Sequence, residues 1–302
     1  MIVHGSSSQD RRQVMYPEIW QELAGAANLP MTPILDLARS RRALLVYFAV
    51  FTAFTVAALR LQVAEAPLPF LASAWVGACA GILVVYWWSM LPDDTWTLWK
   101  LVAGGMVADI LFKYVALTVE EGIYKSGWST DFLWLRAALL GVGNVGLLAV
   151  GIGAGLLVVR GMKKPSYLVM AAIVCAVTDI VSVYKGPSAG TRTSDFFPFV
   201  AYHWGLIGQG DVVPCVGLGD FIFLALFFAG VRRFGMNDRK TFVAMCAAFA
   251  VGLLALLVLP AVPALPFMSL ALLLVHAREL RLLLKQDSAA SQGGEVELGY
   301  RG

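Results

Sequence analysis

Residues 165–184 read PSYLVMAAIVCAVTDIVSVY, and residues 212–231 read VVPCVGLGDFIFLALFFAGV. Each run is about as long as the ~20 apolar residues that cross a bilayer as a helix. Each also carries one charged side chain, Asp179 in the first and Asp220 in the second. Reading outward on the same criterion gives further spans at 43–59, 68–91, 96–119, 133–159, 241–260 and 263–284. Together they fill more than half the chain. Hydrophobic residues make up 59% of the sequence and charged ones 14%, against about 25% charged in a soluble domain. The fold class expected is all-α, a polytopic transmembrane helix bundle of about eight to nine spans, because a spanning backbone must satisfy its own hydrogen bonds.

The flanks differ in composition. Residues 1–38 mix Pro, Gly, Glu and Arg with short apolar runs and read as a cytoplasmic or interfacial segment. Residues 39–160 hold the N-terminal spans, and 161–285 hold those bearing both aspartates. Residues 286–302 are rich in Ser, Gly and Glu and read as a disordered, solvated tail. The basic residues cluster at Arg39, Arg41 and Arg42, at Arg160, Lys163 and Lys164, at Arg232, Arg233, Arg239 and Lys240, and at Arg278, Arg281 and Lys285. Eight spans put these clusters on one side, and the positive-inside rule then places both termini in the cytoplasm. The net charge of +3 follows from this topology, and no nucleic-acid motif is present. Cys79, Cys175, Cys215 and Cys246 lack CxxC spacing and read as packing residues. His4, His203 and His276 are far apart. Neither a metal nor a cofactor is expected.

Gly77 and Gly81, like Gly151 and Gly155, have the small-xxx-small spacing that lets helix backbones approach closely. Charges inside spans need a reason, because burying one in hydrocarbon costs at least a few kcal/mol. Asp109 and Lys113 are i,i+4 and can neutralise one another; Arg136 is near a span end and can snorkel. Asp179 and Asp220 have no basic neighbour within their runs. If their helices are antiparallel neighbours joined by 185–211, the two acids fall at similar depth, and each becomes the other's natural partner. Two carboxyls sharing one proton suit hydrolysis: one takes a proton from water while the other polarises a carbonyl. The same pair would also suit proton-coupled transport. Gly217 and Gly219 remove side chains beside Asp220, which leaves room for an extended peptide or for a packed helix.

The run from Asp179 through Lys185, Gly186 and Pro187 resembles the first catalytic-aspartate helix of presenilins. Gly217-Leu218-Gly219-Asp220 resembles the GxGD motif shared by presenilin and signal peptide peptidase, and Pro263-Ala264-Leu265 is similar to the PAL motif before the last helix of those proteins. The resemblance covers about residues 165–284. It implies a presenilin-like intramembrane aspartyl protease of the prokaryotic type, a multi-pass protein of the plasma membrane. Asp179 and Asp220 would be the catalytic acids; Gly217, Leu218, Gly219, Pro263, Ala264 and Leu265 would shape the site, with Leu265 against the substrate. Its partners would be transmembrane or signal peptides and the lipid bilayer, and no cofactor is implied. Thr178 departs from the tyrosine usual before the first aspartate, and the span count departs from the nine usual in the family. A prepilin-peptidase-like protease also uses a GxGD aspartate but lacks the PAL element. The stretch 196–204 holds Phe196, Phe197, Phe199, Tyr202 and Trp204 and reads as an interfacial aromatic anchor, with a gate over the cleft as the other reading.

Overall fold

The computed structural model describes residues 33–61, 67–90, 94–126, 133–185, 197–207, 212–259, 262–285 and 287. It is an all-α bundle with one small hairpin: α1 (Pro33–Arg60), α2 (Pro67–Trp88), α3 (Thr95–Ser126), α4 (Leu133–Gly161), α5 (Pro165–Lys185), β1 (Ala201–Gly205), β2 (Val212–Gly217), α6 (Leu218–Arg233), α7 (Asp238–Ala255) and α8 (Leu265–Val275). A 3-10 turn, Phe197–Val200, leads into β1. Residues 1–42 and 43–302 form separate compact units. Of the first, the helical residues 33–42 are described; the second holds everything that follows, so the spans before and after residue 160 belong to one body.

Each expected span contains a helix. Among the described residues, however, four helices (α2 to α5) are long and apolar enough to cross a membrane, with shorter apolar stretches at Leu44–Ala58 in α1 and in α8. These helices suggest a membrane-embedded protein. The difference from about eight full spans lies in α1, whose apolar stretch is Leu44–Ala58, and in the last three. Residues 212–217 form a strand, so α6 has 16 residues; α7 has 18; α8 has 11 and turns at His276 before a second helical stretch, 277–285.

Local chemistry sets the helix ends. Proline opens α1, α2 and α5, where its missing N–H has no intrahelical partner to lose. Asp94 caps α3, accepting from the backbone N–H of Trp96 and Thr97, each at 3.1 Å. Asn237 caps α7 through Lys240 N–H at 3.1 Å. After α6 the chain turns at Gly235, whose φ is 68°. Met236 N–H donates to Val231 and Gly235 N–H to Arg232, the pairing that closes a helix with a left-handed glycine.

Helix α4 is central: 67% of its spanning stretch is buried, against 17% for α5. Its glycines explain this. A Cβ on Gly146 would come within 2.6 Å of the Asp109 backbone nitrogen on α3, and one on Gly155 within 2.5 Å of the Ile222 carbonyl on α6. Gly77 and Gly81 work differently from the helix-to-helix packing expected of them. They make room for rings, since a Cβ there would meet Trp204 at 2.5 Å and Phe221 at 2.9 Å. Helix α5 lies at the periphery, with Tyr167, Met170, Val174, Val177 and Val181 exposed along one side and Leu168, Ala172, Cys175 and Val183 buried on the other.

The hairpin corrects the reading of 196–204 as an interfacial anchor. Tyr202 and Trp204 are fully buried. Tyr202 accepts a hydrogen bond from the Tyr47 hydroxyl at 3.0 Å, and Trp204 packs against Phe51 and Phe54 at ring distances of 5.2 and 5.1 Å. Phe197 and Phe199 are half-buried, and Phe196 lies outside the described residues. One end of the bundle gathers the basic clusters that follow α4, α6 and α8. There Arg232 bonds Asp238 at 2.8 Å, Ser89 at 2.6 Å and the Tyr86 carbonyl at 2.9 Å. Nearby, Lys240 pairs with Glu279 at 3.6 Å. Asp287, in what reads as a solvated tail, pairs with Lys164 at 3.3 Å.

Two adjacent glycines test the packing. A Cβ on Gly105 would sit 2.6 Å from the Gly146 carbonyl, whereas one on Gly104 meets nothing within 4 Å. Gly105→Val is expected to lower thermal stability in detergent by about 1–3 kcal/mol, and Gly104→Val to melt with the wild type.

Candidate functional site

Asp179 lies on the inward face of α5, in line with Leu168, Ala172 and Cys175 at helical spacing. Asp220 lies in the first turn of α6, three residues after its N-cap, Gly217. Both carboxyls are half-buried and line one cavity of about 580 Å³, where they interact electrostatically. Sequence reasoning expected each acid to be the other's partner, and the fold brings them to the same cavity.

Each carboxyl is held by a backbone amide that its own helix cannot satisfy. The Gly217 N–H donates to Asp220 Oδ2 at 3.2 Å, the reach-back of an acidic N3 residue to the N-cap. The Leu265 N–H, first in α8, donates to Asp179 Oδ2 at 3.0 Å. The first amides of a helix have no intrahelical acceptor, and the partial positive charge there favours a carboxylate. Pro266 follows at the head of α8 and has no N–H. The site is thus assembled from two helix N-termini directed at two acids.

Gly217, Leu218, Gly219, Pro263 and Ala264 line the cavity together with the acids. Leu265 does not: its side chain is 5% exposed and belongs to the apolar core. What it gives the site is its amide, which no property of a leucine side chain could have signalled. Gly219 settles whether the GxGD glycines serve packing. A Cβ there would meet nothing within 4 Å, and one on Gly217 would meet Asp220 Oδ2 alone, at 3.6 Å. They leave open space beside the carboxyl. Thr178 is exposed, its hydroxyl donates to the Val174 carbonyl at 2.7 Å, and it does not line the cavity.

The sequence missed several contributors. Phe197 and Val200 line the cavity from the 3-10 turn, and Pro214, Cys215 and Val216 line it from β2. Cys215 is exposed there, not packed as expected. The signal that could have found β2 is Pro214, which reads poorly in mid-helix and is at home on an edge strand. Ala248, Phe249 and Gly252 of α7 and Ala74 and Ala78 of α2 also line the cavity. The sequence matches no protein-family profile and no curated protein.

Filling the open space and trimming the core should have opposite effects. In protein whose Cys79, Cys175 and Cys246 are serine, Gly219→Leu is expected to leave the melting temperature unchanged and to slow maleimide labelling of Cys215. Leu265→Ala is expected to lower stability by about 2–5 kcal/mol and to leave that labelling open. Fluorescence thermal denaturation and intact-mass spectrometry measure the two effects.

Proposed function

We propose that the protein is an intramembrane aspartyl protease that hydrolyses peptide bonds within transmembrane segments or signal peptides. The observation that carries this reading is the placement of Asp179 and Asp220 on one cavity, each with Oδ2 on a helix-terminal amide. Held in that way, the two acids can share one proton. The ionised member takes a proton from a water as it attacks the scissile carbonyl, and the protonated member hydrogen-bonds to the carbonyl oxygen. Collapse of the resulting diol then breaks the C–N bond as the amine nitrogen receives a proton.

The hydrolysed bond must first be freed from helical hydrogen bonding, which calls for an extended substrate. Two features support that. The cavity wall is open beside Gly219, and β2, which pairs with β1 on one side, lines the cavity with Pro214 to Gly217. An extended segment can add to such an edge by main-chain hydrogen bonds. The resemblance of residues 165–284 to presenilin and signal peptide peptidase supports the same reading. The chain is a multi-pass protein of a prokaryotic plasma membrane, with both termini cytoplasmic and residues 185–211 on the far side. That orientation favours substrates whose N-terminus is cytoplasmic.

Purified protein in detergent, incubated with a synthetic transmembrane peptide, is expected to yield defined fragments by mass spectrometry. Asp179→Asn and Asp220→Asn should each reduce cleavage by about a thousandfold or more, and the double variant should be no worse than either, because the acids act as one unit. Cleavage should follow a bell-shaped pH profile, since the pair needs one proton, neither two nor none. Substantial cutting by Asp220→Asn protein would end this reading, and a pH-driven flux without a cut peptide would mark a transporter instead.

The orientation has its own test. A cysteine placed at Ser188, in protein lacking its native cysteines, should react with an impermeant maleimide on intact cells. Reaction confined to permeabilised cells would invert the topology.

A further inference from the structure

The strand β1 has an outer edge that no other described strand covers, and it is buried among apolar side chains. Unpaired backbone groups there would be costly. They are instead paired by polar side chains of α3 and α4. The Asn144 carboxamide, fully buried, donates through Nδ2 to the His203 carbonyl at 2.7 Å and accepts from the His203 N–H, through Oδ1, at 2.8 Å. One side chain so supplies both bonds that a neighbouring strand would supply. Two residues earlier on the same edge, Lys113 Nζ donates to the Ala201 carbonyl at 2.7 Å and to the Phe199 carbonyl at 3.3 Å. Its remaining partner is Asp109 Oδ1 at 2.6 Å. Lys113 thus spends N–H bonds on two backbone carbonyls, and the Asp109 carboxylate neutralises its charge.

The far side of β1 leads to the site. Ala201 is in register with Gly217, and the Gly217 N–H holds Asp220. We propose that Asn144 and the Lys113–Asp109 pair are positioning residues for the Asp220 site: they serve as the outer strand partner of β1 and, through the Ala201–Gly217 pair, set the place of Gly217, of the β2 edge and of the Asp220 carboxyl. The consequence for catalysis rests on the protease reading; the clamp itself does not. Under that reading β2 aligns the substrate, so a loosened β1 changes which peptide bond lies over the acids as well as how fast it is cut. A residue that merely stabilised the bundle would lower the yield of active protein without moving the cleavage position.

The test compares wild type with Asn144→Leu, a variant of similar size that neither donates nor accepts, and with the double variant Asp109→Leu/Lys113→Met, which removes both charges together. Hydrogen exchange resolved to the 201–217 region and the product masses from a synthetic transmembrane peptide are measured on folded, monodisperse protein. In Asn144→Leu the His203 amide should exchange at least about tenfold faster, for loss of one buried hydrogen bond. In both variants cleavage should spread to neighbouring bonds, with kcat/KM down by about 100-fold, as expected for a misplacement near 1 Å. Should Asn144→Leu fail to fold, Asn144→Asp takes its place; it keeps the acceptor for His203 N–H and loses the donor, and the same shift in product masses is expected. Wild-type cleavage position and rate in either folded variant, or unchanged His203 exchange in Asn144→Leu, overturns the proposal. Failure of the wild type to cut the peptide would instead count against the protease reading, and exchange at His203 would still decide the clamp.

Discussion

A backbone N–H or C=O enclosed by apolar side chains must find a partner, and the second half of this chain is arranged around that constraint. A bundle of uninterrupted helices meets it trivially, each helix satisfying itself. Here the chain departs from helix at residues 201–205 and 212–217 and again just before Leu265, within the body of the bundle. The exposed amides and carbonyls are then paired by side chains set on other elements: Asp179 for Leu265, Asp220 for Gly217, Asn144 for His203, and Lys113 for Ala201 and Phe199. The polar residues that stand out in an apolar sequence are largely the partners of broken backbone.

That arrangement separates the charges into kinds. Asp109 neutralises Lys113, which donates to main-chain carbonyls. Such a pair adds little net stability, since desolvation offsets much of its attraction, and its value is in fixing geometry. Arg232 ties the foot of α6 to the end of α2 and the start of α7, lying over the Tyr86 ring at 4.8 Å while it bonds Ser89, the Tyr86 carbonyl and Asp238. Asp179 and Asp220 differ from these in facing a cavity. Both acids accept from helix-terminal amides and stand beside open space and a strand.

Glycine has opposite uses on either side of α6. In α4 it lets backbones meet, so that Gly146 and Gly155 bring α3 and α6 against the central helix. In the segment before Asp220 it leaves space unfilled. The same residue type, at spacings that look alike in the sequence, gives tight contact in one place and a vacant wall in the other. Gly77 and Gly81 add a third use, clearing room for Trp204 and Phe221. The difference lies in what stands opposite each glycine.

Apolarity and run length by themselves determined the helical bundle and the position of each helix, because about 20 apolar residues have few alternatives to a membrane helix. The isolated acids were equally legible, since a charge without a local partner is conspicuous in such a run, and so was the i,i+4 pairing of Asp109 with Lys113. The hairpin was not legible. Its strands are short and apolar, and alternation is lost when both faces are buried, so residues 212–217 read as the start of a span. Tyr202 and Trp204 read as an interfacial belt because amphipathic rings suit a membrane surface as well as a core, and only the packing of β1 against α1, α2 and α4 decided between them. The role of Leu265 was beyond sequence altogether, for the group that matters is a backbone amide, identical in every residue but proline. Which amides are left over is local chemistry, as is the Gly217–Asp220 contact; which carboxyl or carboxamide meets Leu265 and His203 is set by the approach of helices distant in the chain, and that is a property of the tertiary structure alone.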